Sequence, residues 1–284
     1  RVDARDNGAM NTPTHPTITF IGGGNMASAI IGGLVRQGHP ASALQIVEPW
    51  DEQRTKLAQQ FPGVSLLAAA SADLRPSDLV VWAVKPQTFK EAALASQPHL
   101  PNALHLSVAA GITSESMAGW LQTQRIVRAM PNTPALVGQG MTGLYARPGA
   151  SAADRAQVEA VVATTGAHVW LQQESDLDTV TALSGSGPAY VFYFLEAMRE
   201  AGMQMGLDTA TAQKLAIGTF VGASALAAAS DEPPEVLRER VTSKGGTTFA
   251  ALTAMETAGI KAAFVNAMHA AQVRAKELGD EFGA

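Results

Sequence analysis

Two glycine-rich segments hold the residue types and spacings that could do chemistry in this sequence. The first, residues 22–27, reads GGGNMA and fits the pattern G-x-G-x-x-G/A. In such a pattern Gly22 permits a tight turn, and Gly24 lets the backbone approach a pyrophosphate at a helix N-terminus. An apolar run precedes the segment, and a helical pattern that includes Asn25 and Met26 follows it. We therefore predict a dinucleotide-binding turn, with a purely structural glycine turn as the alternative.

An acidic residue about 20 positions beyond such a turn can bind the adenosine ribose of the dinucleotide. Glu48 has this position, at the end of the second predicted strand. Its carboxylate would accept hydrogen bonds from the ribose of NADH and would repel the 2′-phosphate of NADPH. Arg54, one turn into the next helix, would either attract that phosphate or lie solvated. Both NADPH and NADH therefore stay open as the cofactor.

The second segment, residues 243–248, reads SKGGTT and immediately precedes a predicted helix. Free backbone amides at Gly245, Gly246, Thr247 and Thr248 could converge on a carboxylate there, because a helix N-terminus attracts anions. An ordinary Thr N-cap is the alternative interpretation. We expect this segment to bind an anionic substrate.

The composition excludes several other kinds of chemistry. Cysteine is absent, so disulfides, thiolate metal sites and cysteine nucleophiles are excluded. The six histidines lack the spacing of metal ligands, and we expect no metal site. Ser184 and Ser186 lack both a nucleophile elbow and a paired histidine, so hydrolysis is not expected. The net charge of −5, with basic residues spread along the chain, argues against a nucleic-acid partner.

The elements that must position these segments follow an alternating pattern. Short apolar runs predict strands at residues 17–21, 44–47, 79–84 and 104–108, with helical patterns after the first two. The pattern weakens after residues 125–130, and further strands are predicted at residues 140–145 and 167–171 on either side of a helix at residues 152–164. This alternation favours a Rossmann-like α/β domain with a parallel sheet covered on both faces. Ligands bind such a sheet at the carboxyl ends of its strands.

From residue 175 onward the sequence predicts helices alone. One opens at Pro188 and is apolar on every side, and a second is capped by Asp208 and ends near Ser230. Further helices are predicted at residues 235–241, 249–257 and 261–278. Because one small domain cannot easily cover a helix that is apolar all round, we predict a homodimer.

These patterns divide the chain into three parts. We predict a disordered or vector-derived tail at residues 1–16 and a dinucleotide-binding domain at residues 17–174. An all-helical domain for substrate binding and dimerisation follows at residues 175–284. The most apolar stretch, residues 215–229, is shorter than the ~20 residues that cross a bilayer. No signal peptide is evident, so we expect a cytoplasmic protein without a membrane partner.

Four later segments carry a resemblance to a known family. They are AVKP at residues 83–86, AMPNTP at residues 129–134, LSGSGPAY at residues 183–190 and VTSKGGTT at residues 241–248. Together with the glycine turn, and in this order, they make the sequence similar to the pyrroline-5-carboxylate reductases. The resemblance implies a dinucleotide-binding domain, a helical dimerisation domain, and dimers that often assemble into larger rings. It also implies reduction of the cyclic imine 1-pyrroline-5-carboxylate to L-proline, the last step of proline synthesis.

The resemblance extends to the residues expected to contact the cofactor. Most of them follow predicted strands, and one lies in the AMPNTP segment: Val84, Lys85, Pro86, Ala110, Gly111 and Asn132. At Lys85 we expect a backbone contact with a solvated side chain, rather than a catalytic ammonium.

The resemblance likewise implies a set of substrate contacts: Ser243, Gly245, Gly246, Thr247 and Thr248. The catalytic contact is expected from Thr248, whose Oγ1 would reach the ring nitrogen of the imine. An acidic residue of the family corresponds to Asp231 or its neighbour Glu232, and a solvated charge is the alternative there. Lys244 stands where the family usually has proline, and its charge would help attract an anionic substrate.

Two other functions suit a glycine turn followed by an apolar helical domain. A 3-hydroxyacid dehydrogenase would need a catalytic lysine on a helix of the second domain. Lys214 is the only candidate, and it lacks the expected glycine-rich surroundings. A dinucleotide-binding protein without catalysis would have no need of the intact segment at residues 243–248.

Overall fold

The strands of this protein form one eight-stranded sheet within residues 15–283, the part of the chain that the computed structural model describes. The predicted tail lies outside the described residues except for its last two positions. In chain order the strands are β1 (Ile18–Ile21), β2 (Leu44–Val47), β3 (Ser65–Leu67), β4 (Leu79–Trp82), β5 (Leu104–Ser107), β6 (Ile126–Met130), β7 (Gly140–Ala146) and β8 (Gly166–Trp170).

The sheet has the strand order β3-β2-β1-β4-β5-β6-β7-β8. The first six strands are parallel, whereas β7 pairs with β6 in the antiparallel sense and β8 is parallel to β7. The strand order reverses beside β1, which lies between β2 and β4, and such a switch point opens a ligand crevice at the carboxyl ends of the strands. Ile21 pairs with both Val47 and Trp82, so the residues after these strands emerge at that edge.

Apolar packing covers both faces of the sheet. The strands β1, β2, β4 and β5 are buried along their whole length, as expected for parallel strands between two layers of helices. Successive side chains enter opposite cores, since Phe20 and Val81 belong to one apolar cluster while Ile21 and Trp82 belong to the other. The predicted α/β layering is confirmed.

Eleven α-helices occur among the described residues. Their bounds are α1 (Asn25–Arg36), α2 (Asp51–Gln60), α3 (Pro86–Ser96), α4 (Ser114–Leu121), α5 (Ala152–Val162), α6 (Asp176–Val180), α7 (Gly187–Gln204), α8 (Thr209–Ala228), α9 (Pro234–Arg240), α10 (Thr247–Thr257) and α11 (Ile260–Phe282). A π-helical segment, Thr181–Gly185, precedes α7. Within the described range, no helix combines the length and the apolarity needed to cross a bilayer.

Contacts divide the described chain into two compact units. The first extends to Leu177 and also includes the residues from Gly279 onward, and the second is Asp178–Leu278. The sequence predicts this division at residue 174, and no sequence pattern indicates that the last residues return to the first unit. That return has a packing basis, because Phe282 packs against the apolar cluster that contains Trp82.

Two features of the sheet differ from the sequence-based expectation. The strand β3 was not predicted, because it is only three residues long and lies half-exposed at the sheet edge. The predicted parallel sheet is found over the first six strands, and the sequence did not indicate that β7 runs against β6. The direction of a strand depends on its partner and not on its own apolar pattern, so the pattern could not reveal it.

Candidate active site

The glycine turn follows β1 directly and depends on Gly22. Its backbone has φ +93°, a conformation that favours glycine, and its N–H donates to the carbonyl oxygen of Val47 at 2.9 Å. A Cβ at this position would lie 2.6 Å from the carbonyl oxygen of Ala83. Gly22 therefore lets β1, β2 and the segment after β4 approach closely at the switch point.

Gly24 differs because it borders open space. It is the N-cap of α1, no side chain caps that helix, and a Cβ placed on Gly24 would meet no atom within 4 Å. Asn25 is exposed, Met26 is half-buried against the core, and Ala27 is fully buried beneath the turn. Uncapped N–H groups that face open space suit the phosphates of a dinucleotide, so this turn fits the implied cofactor.

The carboxylate of Glu48 braces the glycine turn. One oxygen accepts the N–H of Gly23 at 2.9 Å, the other accepts the N–H of Trp50 at 3.0 Å, and the residue is 7% exposed. From the sequence, these oxygens are expected to accept the ribose hydroxyls. The structure shows that each oxygen already has a backbone partner, although a carboxylate oxygen can accept a second hydrogen bond.

Arg54 is engaged by its own surroundings rather than solvated. Its guanidinium donates to the carbonyl oxygens of Glu48 at 2.8 Å and Pro49 at 2.7 Å, and it pairs with Asp51 at 2.9 Å. The expectation of a solvated Arg54 is therefore wrong. These bonds also direct the guanidinium toward the local backbone, which weakens its case as a partner for a 2′-phosphate.

The segment after β4 leads directly into α3. Val84 is half-buried against the core, the exposed Lys85 is the extended N-cap of α3, and Pro86 occupies the first helical position. Pro86 has no N–H, and the carbonyl oxygen of Lys85 accepts both the N–H of Thr88 at 3.1 Å and its hydroxyl at 3.2 Å, which fixes the first turn of α3. The backbone contact between Lys85 and the cofactor stays a prediction.

The loop after β5, residues 109–111, is the next at the same edge. Ala109 is buried and its N–H donates to Ser107 Oγ at 3.2 Å, while Ala110 is half-buried. Gly111 has φ +78°, which permits the turn into the segment before α4. Asn132 follows β6, and its Oδ1 accepts the N–H of Met141 at 2.9 Å, so this side chain fastens the end of β6 to β7.

The SKGGTT segment lies in the second unit and forms a glycine turn before α10. Gly245 has φ +74°, and the N–H of Gly246 donates to the carbonyl oxygen of Ser243 at 3.0 Å. Gly246 is the N-cap of α10, so Thr247 and Thr248 are the first two helical residues and no side chain caps the helix. The alternative of an ordinary Thr N-cap is therefore wrong, and the first amides of α10 retain the capacity to bind a carboxylate.

The two acidic candidates before α9 differ in their surroundings. Glu232 forms an ion pair with Arg240 at 2.6 Å, which offsets its charge. Asp231 is exposed, and no ion pair to it exists among the described residues. Asp231 is therefore the better candidate for contact with a positively charged imine.

Polar residues that no sequence pattern singled out also stabilise the first unit. The side-chain amide of Gln53 donates to the carbonyl oxygen of Gly23 at 2.7 Å and so stabilises the glycine turn. Glu174 accepts hydrogen bonds from the N–H and hydroxyl of Ser114 and from Arg128 at 2.7 Å. Burial alone would raise the pKa of the Glu174 carboxyl, but these bonds hold it below its ordinary value. An arginine inside the apolar strand β6 was the signal for this buried pair.

Two known protein families match this sequence, one for each unit. Residues 174–278 match the family described as pyrroline-5-carboxylate reductase dimerisation. Residues 17–111 match the family described as NADP oxidoreductase, coenzyme F420-dependent.

Individual relatives extend this match along nearly the whole chain. The pyrroline-5-carboxylate reductase of Pseudomonas aeruginosa is 43% identical over 270 residues, which are 94% of this chain and 98% of that protein. The structure of the Coxiella burnetii pyrroline-5-carboxylate reductase superposes with a TM-score of 0.86 at 35% identity, over 93% of this chain and 99% of that one. The structure of the Plasmodium falciparum enzyme with NADP bound superposes with a TM-score of 0.82 at 28% identity, over 93% of this chain and 98% of that one. The chain therefore belongs to the pyrroline-5-carboxylate reductase family.

Proposed function

We propose that this chain reduces 1-pyrroline-5-carboxylate to L-proline with NAD(P)H, the last step of proline biosynthesis. The observation that carries the assignment is the glycine turn at Ser243–Gly246, which leaves the first amides of α10 without a side-chain cap. A small carboxylate suits such amides, and the imine substrate carries one. The Plasmodium falciparum relative with NADP bound supports the choice of a nicotinamide cofactor.

The first unit holds the cofactor in this proposal. Gly24, Asn25 and Met26 present the N-terminus of α1 to the pyrophosphate, and Glu48 fixes the turn and faces the adenosine ribose. The remaining contacts come from the strand ends that lie along the same edge: Val84, Lys85, Pro86, Ala110, Gly111 and Asn132. When bound, NAD(P)H supplies the hydride that reduces the imine.

The second unit holds the substrate in this proposal. The backbone N–H groups of Gly245, Thr247 and Thr248 bind its carboxylate, while Ser243 and Gly246 close the turn through the hydrogen bond from the Gly246 N–H to the Ser243 carbonyl oxygen. Thr248 Oγ1 hydrogen-bonds the ring nitrogen, and Asp231 stabilises its positive charge. A protonated imine is already electrophilic, so orientation and the exclusion of water do most of the work and no strong acid is needed.

The second unit also provides the surface for dimerisation. Large apolar side chains are exposed along α7 and α8, among them Phe192, Tyr193, Leu215, Val221 and Leu226. They lie inside the segment that matches the dimerisation family. We further propose that the dimers assemble into rings and act in the cytoplasm without a nucleic-acid partner. The family resemblance, the absence of cysteine and the net charge of −5 support these three points.

A spectrophotometric assay tests the proposed activity. The purified protein should consume the absorbance band of reduced nicotinamide when 1-pyrroline-5-carboxylate is added, and L-proline should form in equal amount. It should produce no reduced cofactor from oxidised cofactor and 3-hydroxy acids, since the exposed Lys214 on α8 lacks the surroundings of a catalytic lysine. Cofactor turnover with 3-hydroxy acids but not with the imine would overturn the proposal.

A further inference from the structure

The last residues of the chain pack against the loop after β5. The C-terminal turn, which we define as residues 279–283, belongs to the first unit although most of α11 belongs to the second. Gly279 lies beside Gly111 so closely that a Cβ on Gly279 would be 2.9 Å from the Gly111 carbonyl oxygen. A separation this short does not occur for real side chains, so Gly279 is fitted to the loop by its lack of one.

Two further contacts attach the C-terminal turn to the residues that follow this loop. Ser116, in the first turn of α4, donates its hydroxyl to the carbonyl oxygen of Gly283. The N–H of Ser116 donates to Thr113 Oγ1 at 3.1 Å, which fixes the start of the same helix. Phe282 packs against the apolar cluster that contains Ile112. The attachment thus combines a hydrogen bond, apolar packing and close backbone contact.

The loop at residues 109–111 lies at the carboxyl end of β5, where the proposed function places the cofactor. Its conformation turns on Gly111, whose φ of +78° is accessible mainly to glycine. The carbonyl group of Gly111 faces the C-terminal turn, so the position of that turn limits how the peptide group can rotate. A backbone that is held in one conformation before binding loses less entropy when the ligand arrives.

We propose that the C-terminal turn is a positioning element for the cofactor, with Gly279 as its key residue. The turn packs against the Gly111 carbonyl group and keeps the loop at residues 109–111 in the conformation that binds the dinucleotide. This inference rests on the proposed function, because that function assigns Ala110 and Gly111 to cofactor binding. Gly279 and Ser116 act through the loop and do not touch the cofactor.

The variant Gly279→Ala separates this role from a purely structural one. Inside a helix, alanine is favoured over glycine by roughly 1 kcal/mol, which offsets part of the strain that the added Cβ causes, so the thermal stability should change little. The Cβ must displace the Gly111 carbonyl group, which is backbone and cannot swing aside as a side chain would. Cofactor affinity should therefore fall while stability changes little.

The matched control is Gly119→Ala. Gly119 lies in α4 of the same unit, it is exposed, and a Cβ there would meet no atom within 4 Å. We expect the control to show the helix-propensity effect alone, with an unchanged Kd for the cofactor. Ser116→Ala provides a second test variant, since it removes the hydroxyl that bonds Gly283 and Thr113 Oγ1 but keeps the N–H bond that caps α4.

The experiment measures the Kd of NADH and of NADPH by fluorescence titration without substrate, together with the unfolding temperature of each variant. We expect Gly279→Ala to raise Kd about tenfold for both cofactors and Ser116→Ala to raise it less, with little change in thermal stability. If Gly279→Ala does not fold, a raised Kd in Ser116→Ala supports the inference and an unchanged one overturns it.

The outcome separates this inference from the proposed function. If the native chain binds either dinucleotide and Gly279→Ala binds it with the same Kd, the positioning role is overturned while the proposed function stands. If the native chain binds neither dinucleotide, the proposed function fails and the inference fails with it.

Discussion

At the start of α10, the Thr248 side chain is half-buried and occupies the second helical position. Because Gly246 is the N-cap, the Thr248 hydroxyl is not needed to begin the helix. Thr248→Ala should remove the hydrogen bond to the ring nitrogen, which costs about 1.5–3 kcal/mol, or roughly 10- to 150-fold in kcat/KM for the imine. The Kd of the cofactor should stay unchanged, and both quantities are measured by steady-state kinetics and fluorescence titration.

Thr253→Ala is the matched control for this variant. Thr253 lies in the same helix and donates its hydroxyl to the carbonyl oxygen of Phe249, so its loss should leave the kinetics with the imine unaffected. Kinetics of Thr248→Ala that equal those of the native chain would contradict the assignment of Thr248 to the substrate.

Glu48 allows a second test at the scale of a single residue. Glu48→Gln removes the negative charge and keeps one acceptor oxygen, so either the N–H of Gly23 or that of Trp50 loses its partner, a loss that affects both cofactors alike. A repulsion of ~1.4 kcal/mol between the carboxylate and a 2′-phosphate corresponds to a tenfold shift of the kcat/KM ratio toward NADPH. Kinetics with both cofactors measure this ratio. The control is Glu52→Gln, because Glu52 is highly exposed, pairs with Lys56 and not with Arg54, and has its charge screened by solvent.

Glu48→Ala should behave differently from Glu48→Gln. It removes both hydrogen bonds to the backbone, so the glycine turn loses its brace and the affinity for NADH and NADPH should fall together. A cofactor ratio that does not move in Glu48→Gln would show that the Glu48 carboxylate points away from the adenosine ribose.

His105 makes the stability of the first unit depend on pH. It lies buried in β5, where burial and the nearby Arg125 lower the pKa of its imidazole from 6.5 to about 4. Between pH 6.5 and 4, His105 therefore binds a proton in the unfolded chain but stays neutral in the folded chain. The contribution of the neutral imidazole to the free energy of unfolding is fully present above pH 6.5. It is lost progressively as the pH falls toward 4, by about 3 kcal/mol. Denaturant unfolding between pH 4 and 8, at fixed protein concentration, measures this loss.

His105→Gln should flatten that pH dependence. The imidazole Nδ1 accepts the indole N–H of Trp82 at 3.0 Å, and the amide oxygen of glutamine can take over as the acceptor. His99→Gln serves as the control, because His99 is only half-buried and should leave the slope as it is. An equally steep slope in His105→Gln would show that other groups cause the acid sensitivity.

At the scale of an element, the two outer glycines of the first turn should respond differently to the same substitution. Gly22→Ala forces a Cβ against the Ala83 carbonyl oxygen at a φ of +93°, so it should lower both stability, by about 1–3 kcal/mol, and cofactor affinity. Gly24→Ala should leave stability unchanged, since its Cβ meets no atom, but should weaken cofactor binding by filling the space for the pyrophosphate. Thermal unfolding and cofactor titration measure the two effects, and unchanged binding in Gly24→Ala would place the pyrophosphate elsewhere.

The sequence predicts a helix or strand boundary most accurately where a few adjacent residues determine it. The strand β2 has the predicted bounds, and Asp208 caps α8 as predicted by accepting the N–H of Thr211 at 3.0 Å. These features depend on a few adjacent residues. The start of α10 was misplaced by two residues, because Thr247 and Thr248 also suit a loop and only the hydrogen bonds distinguish the two.

At the scale of the whole molecule, the exposed apolar face of the second unit should make a dimer the smallest folded form. Phe192→Glu introduces a charge on α7, where the native side chain is 59% exposed, and should weaken the dimer. Leu94→Glu is the control, because Leu94 is similarly exposed but lies on α3 in the first unit. Sedimentation measures both, and a stable folded monomer of the native chain at micromolar concentration would contradict the prediction.

The sequence by itself determined the α/β and helical halves, the two glycine turns and the places where ligands are expected. Apolar periodicity and the backbone freedom of glycine act over a few residues, so they can be recognised without the fold. The tertiary structure decided what Glu48 and Arg54 contact, the reversed direction of β7, and the approach of Gly279 to Gly111. These features depend on contacts between residues that are brought together only when the chain is packed, and no local pattern encodes them.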